Sequence, residues 1–261
     1  MATAFCRLTH LICLAAVVLS VAPARAAQPG TTESVDFGDF RLSVYAQDQA
    51  TFLVALTYRG RTVYQGESYI ADPIKTLAVH EDFPAKDCRT MIATMYSGGA
   101  HCCSFAVIVT LGPDGPSAQV AALAEDGLAM LDADHDGVME LELVDWSFAY
   151  YHLDSDHSLC FACSPGFSRY LVYDRGAWRP DRPGEFTERY RELQFEPSGS
   201  DPALAMQAAY CELMAGGAVA DVSGTLLDLL PMDWRDVLDS VLADLINAAQ
   251  DYAPVTPIGL N

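Results

Sequence analysis

Short strand-like segments separated by turns succeed one another from Val35 to about Arg179. Within Thr51–Tyr58 the apolar side chains occupy alternate positions, and Arg59-Gly60 then turns the chain into Thr62–Gln65, which is the pattern of a β-hairpin. Further segments of this kind are Phe40–Tyr45, Met91–Tyr96, Phe105–Leu111, Gln119–Leu123, Leu141–Val144 and Arg169–Tyr173. We therefore predict a mainly β protein built from antiparallel sheets.

The composition changes after Pro197-Ser198-Gly199-Ser200, a linker-like stretch. Ala203–Ala215 has a helical composition, and a further helix with Asp233 as its cap is predicted from apolar residues at helical spacing: Trp234, Val237, Leu238, Val241, Leu242, Leu245 and Ile246. This stripe fits core packing against a sheet better than it fits a partner-binding face. We predict a β-rich domain over residues 27–197, and a C-terminal helical segment of two or three helices over residues 198–261 that packs on it.

The first 26 residues have the layout of a secretory signal peptide: Arg7, then an apolar run over Leu11–Ala22, then Ala24-Arg25-Ala26. The run is shorter than the roughly 20 apolar residues that a spanning helix needs. We therefore expect a periplasmic or secreted protein with no membrane insertion after removal of the signal peptide.

The chain is acidic, with 35 Asp and Glu against 15 Lys and Arg and a formal net charge of −20. This charge repels the phosphates of nucleic acids and anionic membrane surfaces, so neither is an expected partner, but it suits a cation-binding protein. The aromatic residues Trp146, Phe148, Tyr150 and Tyr151 are expected mainly in the core. An exposed aromatic strip is the alternative, and its partner would be an unknown protein or a glycan of the cell envelope.

The segment Leu131–Leu141 contains a DxDxDGxxE loop, which places Asp132, Asp134, Asp136 and Glu140 around Gly137. Calcium takes six to eight oxygen ligands at ~2.3–2.6 Å, and acids at alternate positions of a tight turn point toward one centre. The loop therefore predicts a calcium site. An ion-free acidic turn and a magnesium site are the alternatives, although magnesium tends to keep its waters. Glu81, Asp82 and Asp87 precede Met91–Tyr96 in a similar but weaker acidic pattern that has no glycine turn, and a second ion site there is a less favoured alternative.

An EF-hand also begins with acids at positions 1, 3 and 5, but it needs a glutamate at position 12 and two flanking helices. Position 12 here is Leu143, and Leu141–Val144 alternates like a strand. The predicted ligand set is therefore completed by Glu140 and by the backbone carbonyl of Val138.

The loop and its exit strand resemble the calcium loops of FG-GAP and VCBS-type β-propeller repeats, which have the pattern DxDxDGxxD/E leading into a strand. The resemblance implies Asp132, Asp134, Asp136 and Glu140 as side-chain ligands and Val138 as a backbone ligand. Gly98-Gly99-Ala100-His101-Cys102-Cys103, with the downstream loop and Asp145–Tyr150, also resembles a group of exported bacterial proteins with a GGAHCC segment. Because FG-GAP repeats come in several copies and this chain has one, we expect propeller-blade-like strand units rather than a closed ring.

Six cysteines remain after signal removal: Cys88, Cys102, Cys103, Cys160, Cys163 and Cys211. In an oxidising compartment this even number predicts three disulfides, with 15 pairings that the sequence does not separate. A zinc or copper site using His101, His152 and His157 is an alternative. It is disfavoured because adjacent cysteines in a strand point to opposite faces, and because exported thiols tend to oxidise.

These observations favour a non-enzymatic, exported, calcium-binding and disulfide-stabilised protein with a structural or binding role in the envelope. The first alternative is an envelope hydrolase with a site near His101 and Asp145, in which Ser97 would complete a weak triad-like set. The second is a copper- or zinc-binding protein. The sequence contains no GxSxG elbow, no glycine-rich phosphate loop and no HExxH motif.

Overall fold

A computed structural model describes residues 32–47, 50–69, 74–96, 102–124, 127–194 and 201–260. The predicted signal peptide lies outside these ranges, as do Ser97, His101 and the side chains of Cys102 and Cys103. The prediction of a mainly β fold with antiparallel sheets and C-terminal helices is confirmed.

In the described part of the chain, three antiparallel sheets follow one another, each built mainly from consecutive hairpins. The first sheet contains β1 (Thr32–Phe37), β2 (Phe40–Ala46), β3 (Phe52–Tyr58) and β4 (Arg61–Ser68). The second contains β5 (Thr76–Glu81), β6 (Arg89–Tyr96), β7 (Cys102–Gly112) and β8 (Gly115–Ala124). The third contains β9 (Ala129–Leu131), β10 (Glu140–Asp145), β11 (Phe167–Asp174) and β12 (Ala177–Pro180). These are propeller-blade-like units, but the described part of the chain forms no closed propeller or barrel.

The second sheet is the middle layer of the β region, because each of its faces packs on a neighbouring sheet. Met91, Ala93 and Met95 of β6 pack against the first sheet, whereas Ile92 belongs to the core shared with the third sheet. Six consecutive residues of β6 are therefore buried, in place of the alternation expected of a strand with one solvent face.

A side-chain amide joins the second and third sheets. Gln119 of β8 donates from Nε2 to the Trp178 carbonyl (2.7 Å), and its Oε1 accepts from the Trp178 amide (2.6 Å). The Trp178 indole donates to the Thr110 hydroxyl (3.1 Å). All three residues are buried, so these bonds satisfy polar groups that would otherwise lie unpaired between the sheets.

Within the described ranges, four α-helices cover the outer side of the third sheet. They are α1 (Thr187–Leu193), α2 (Pro202–Met214), α3 (Val219–Leu229) and α4 (Leu238–Asp251). The predicted apolar stripe is confirmed as core, since Trp234, Val241 and Leu245 are buried in a cluster that also contains Phe167 and Tyr170 of the sheet.

Two features of the C-terminal region differ from the sequence prediction. Asp233 does not cap a helix but lies inside a 3₁₀ helix, Met232–Val237, that precedes α4. The chain also does not end as helix, because β13 (Val255–Pro257) returns to pair antiparallel with β8. The helical segment is thus tied back to the second sheet.

Candidate metal centre

The candidate metal centre lies in the turn of the β9–β10 hairpin, where three aspartates converge. One carboxylate oxygen from each of Asp132, Asp134 and Asp136 lies within 4.8 Å of the other two. Two oxygens on opposite sides of a calcium ion would be about 5 Å apart, so one ion can contact all three. Asp132 is half-buried, and Asp134 and Asp136 are exposed.

Hydrogen bonds from backbone amides hold these carboxylates in place. Asp132 accepts from the amides of Asp136 (3.0 Å) and Gly137 (3.1 Å). Asp134 also accepts from Asp136 (3.2 Å), and Asp136 accepts from Val138 (2.7 Å). Aspartate side chains commonly bond to amides a few residues onward in turns, so the local sequence itself favours this arrangement.

The turn requires two residues with positive φ, His135 (64°) and Gly137 (87°). Histidine tolerates this region better than most residues, and glycine enters it without steric cost. A Cβ at position 137 would meet no atom within 4 Å, so glycine is required there by the backbone conformation and not by crowding.

Glu140 and Val138, the other two predicted ligands, are placed differently. Glu140 is the first residue of β10 and is buried, and its Oε2 accepts from the Ala133 amide (2.8 Å) inside the turn. Its carboxylate is not among the three that converge. Val138 follows the glycine and is half-buried. The structure therefore brings together three of the four predicted side-chain ligands, and places the fourth against the backbone of the same turn.

The site is strongly electronegative. Burial raises the pKa of Glu140 to about 7, and the neighbouring aspartates add to this while the Ala133 amide opposes it. Burial, followed by the charges of Asp136 and Asp132, also raises the pKa of Asp134. Like charges held this close favour either a bound proton or a bound cation.

The weaker acidic pattern before β6 does not form a second site. Glu81 pairs with Arg89 (2.7 Å), and Asp82 accepts from the Asp87 amide (3.0 Å). Within the described ranges, the Asp132, Asp134 and Asp136 group is the one set of three or more Asp, Glu, His or Cys that converges. The loop before β6 nevertheless contacts the candidate metal centre, because the Met139 amide donates to the Pro84 carbonyl (2.9 Å).

The cysteines correct one sequence prediction. Cys160 and Cys163 form a short disulfide around the 3₁₀ helix Phe161–Cys163. Cys88 and Cys211 are free, so the expected three bridges are not formed. Cys88 lies in the loop between β5 and β6, whereas Cys211 packs into the helical core on the other side of the third sheet.

No histidine of the described residues belongs to a cluster of side chains that could hold a metal ion. The His157 Nδ1 lies 2.8 Å from Asp154 Oδ1, and its Nε2 lies 2.6 Å from the Asp233 carbonyl. Both partners are acceptors, so the arrangement favours the doubly protonated ring, which donates to each. The hydrogen bond with Asp154 is the largest cause that raises the pKa of His157. A site for copper or zinc using His101 lies outside the described residues.

A buried charged network that the sequence pattern did not predict lies beneath the helices. Arg169 of β11 donates to Asp181 (2.7 Å), and both side chains are almost fully buried. Tyr190 donates to the same carboxylate (2.5 Å), and Arg169 also donates to the Tyr210 hydroxyl (2.7 Å). The one sequence signal was an arginine at the start of the otherwise apolar or aromatic predicted segment Arg169–Tyr173.

Asp145, proposed for a hydrolase, ends β10 and lines a cleft beside α4. Its Oδ1 accepts from the Ser147 amide (2.8 Å). Ser97 and His101, the other members of the imagined set, lie outside the described residues.

Comparison of the chain with protein family models, with curated proteins and with solved structures gave no match. The likeness to FG-GAP and VCBS loops therefore depends on the residues of the loop alone. No helix in the described ranges is both long and apolar enough to span a membrane.

Proposed function

We propose that this protein is an exported calcium-binding protein, in which the ion fixes the β9–β10 hairpin, and that its role in the cell envelope is structural or binding rather than catalytic. The observation that carries the proposal is the convergence of the Asp132, Asp134 and Asp136 carboxylates within 4.8 Å. Asp132, Asp134, Asp136 and Glu140 are the proposed side-chain ligands and Val138 the backbone ligand.

The donor set supports calcium over other metals. All of the proposed donors are carboxylate or carbonyl oxygens, which suit hard cations such as calcium, magnesium and manganese, whereas the soft sulfur ligands that select copper(I) are absent from the set. Magnesium demands near-octahedral geometry and releases its waters reluctantly, whereas calcium accepts irregular sets of six to eight oxygens. Waters would complete the coordination on the exposed side, where Asp134 and Asp136 face solvent.

The position of the loop explains how an ion would stabilise the protein. The turn leads directly into β10, whose Leu141 and Leu143 are buried between the second and third sheets. The Met139 amide also joins the loop to Pro84, which lies in the loop between β5 and β6 of the second sheet. An ion that neutralises the carboxylates would therefore hold this hairpin against its neighbour, and binding to the folded state alone raises stability by mass action.

The proposed location depends on the sequence of residues 1–26, which has the signal-peptide layout. Partners in the envelope would be a protein or a glycan, because the acidic surface disfavours nucleic acids and anionic membranes.

Thermal unfolding with and without calcium tests the proposal. Extracellular calcium modules have dissociation constants on the order of 10⁻⁴–10⁻³ M, so about 10 mM calcium would add roughly 1.5–3 kcal/mol and raise the Tm by about 5 °C. Magnesium should raise it less. Asp134→Asn should abolish the calcium shift, and Asp228→Asn, which removes an equal charge from the exposed face of α3, should retain it. An identical Tm in calcium and in a chelator would reject the proposal.

A further inference from the structure

A cleft of about 660 Å³ opens between the third sheet and the end of the last helix. Its walls come from the end of β8, from the stretch that follows β10, and from α4 with the residues after it. The volume lies within the roughly 300–1,000 Å³ typical of small-molecule sites. The cleft begins at Asp145, and the calcium loop lies at the other end of the same strand, about 17 Å away at ~3.3 Å per residue.

The lining of this cleft combines aromatic walls with negative charge. Asp145, Asp244 and Asp251 line it, and none of its lining residues is Lys, Arg or His. The aromatic side chains are Trp146, Phe148, Tyr151 and Tyr252. The last turn of α4 also contains no basic residue, so the negative end of its helix dipole is not offset there.

The three carboxylates differ in how far they are buried. Asp251 is exposed, Asp244 is half-buried and accepts from the Tyr151 hydroxyl (2.8 Å), and Asp145 is 3% exposed. Asp145 therefore forms the floor of the cleft. Unlike the aspartates of the calcium loop, these three do not converge on one point. Their separation suits an elongated organic cation rather than a metal ion.

The floor carboxylate lacks a partner for one of its oxygens. The Asp145 Oδ2 is buried and has no hydrogen-bond partner among the described residues. The nearby Arg169 does not supply one, because its guanidinium donates to Asp181, Tyr210 and the Ala248 carbonyl. Burial of an unpaired carboxylate oxygen is costly, and nearly all buried polar groups in native structures have a hydrogen-bond partner, so this oxygen calls for a donor.

From this geometry we propose that the cleft binds an organic ligand carrying a primary ammonium group on an apolar or aromatic body. The ammonium group donates to Asp145 Oδ2 at the floor, and Trp146 and Phe148 contact the apolar part, because the Tyr252 ring is already stacked against the Arg169 guanidinium (4.5 Å). Aromatic faces attract cations as well as apolar surface, so both parts of such a ligand find complementary groups. This proposal does not depend on the calcium site.

Calorimetric titration with matched probes tests it. The probes are phenethylammonium and hexylammonium, each compared with the neutral alcohol of the same shape, 2-phenylethanol or 1-hexanol. A hydrogen bond to a charged group contributes roughly ten- to a hundredfold in affinity, so at least one ammonium probe should bind ten times more tightly than its alcohol. The measurement is made in calcium and repeated on Asp134→Asn in a chelator, where the same binding is expected.

Three variants locate the site. Asp145→Asn should weaken ammonium binding at least tenfold and remove the preference over the alcohol. Ala253→Trp, at an exposed lining position, should block the binding of both probes without disturbing the buried network. It provides the test of the site if Asp145→Asn fails to fold. Asp228→Asn should bind as the parent does. Equal affinity for ammonium and alcohol, absence of ammonium binding, or unchanged binding in both cleft variants would overturn the proposal, whatever the outcome for calcium.

Discussion

Removing the charge of Asp181 should destabilise the protein strongly, because it leaves the Arg169 guanidinium buried without its counter-ion. The two side chains are 0% and 1% exposed and lie 2.7 Å apart. Breaking a buried pair by removing one partner costs roughly 3–5 kcal/mol, since the remaining charge stays desolvated. For a chain of this size, about 2–4 °C of Tm corresponds to 1 kcal/mol, so Asp181→Asn should lower the Tm by about 10 °C.

Urea unfolding followed by circular dichroism gives the free energy of unfolding by linear extrapolation, with calcium held at one saturating concentration. Asp36→Asn is the matched control, because Asp36 pairs with Arg41 (2.6 Å) while both side chains are more than half exposed. An exposed pair is screened by water, so this control should unfold almost as the parent does.

A double variant separates charge from packing. Arg169→Met with Asp181→Leu removes both charges, and it should be clearly more stable than Asp181→Asn alone, since no unpaired charge remains. If Asp181→Asn unfolds within about 0.5 kcal/mol of the parent, or if the double variant is the less stable of the two, the interpretation of this network as a tightly coupled buried ion pair is wrong.

Two further predictions concern side chains that join separate elements. His157 has a pKa raised above its ordinary 6.5, so its contribution to stability is fully present below that value and is lost as the pH rises through the folded-state pKa. The difference in Tm between the parent and His157→Gln should therefore shrink from about pH 6 to pH 9, and a constant difference would show that protonation is not involved. Gln119→Leu should cost about 2 kcal/mol or more in urea unfolding, because the buried amide and carbonyl of Trp178 lose their partners. Gln250→Leu, on the exposed face of α4, should lower the free energy of unfolding far less. Equal losses in the two variants would show that Gln119 does not stabilise the contact between the sheets.

The sequence predicted the inner strands well and the edge strands poorly. The segments around Val54, Ile92, Ile108 and Leu171 all lie in strands with neighbours on both sides, and each carried a clear apolar pattern. The strands that the pattern missed, β1, β5, β9, β12 and β13, are all at sheet edges. An edge strand has one hydrogen-bonded neighbour, is short, and packs fewer apolar side chains, so its sequence contains less of this signal.

The candidate metal centre was predictable because its geometry is local. Asp132, Asp134 and Asp136 are brought together by bonds to amides two to five residues onward. The cleft was not predictable, because Asp145, Asp244 and Ala122 come from elements that only the tertiary fold places side by side. The Arg169 and Asp181 pair was not predictable for the same reason. A charged residue in a mainly apolar strand indicates that it has a buried partner, but it does not indicate which residue that partner is.

Isothermal titration of the chelator-treated protein with calcium measures directly whether the Asp132–Glu140 loop binds the ion. One calcium ion per chain should bind with a dissociation constant of about 1 mM or tighter, and Asp134→Asn should give no binding heat. The absence of a binding isotherm up to about 10 mM calcium, or an isotherm that Asp134→Asn leaves unchanged, would contradict calcium binding by this loop.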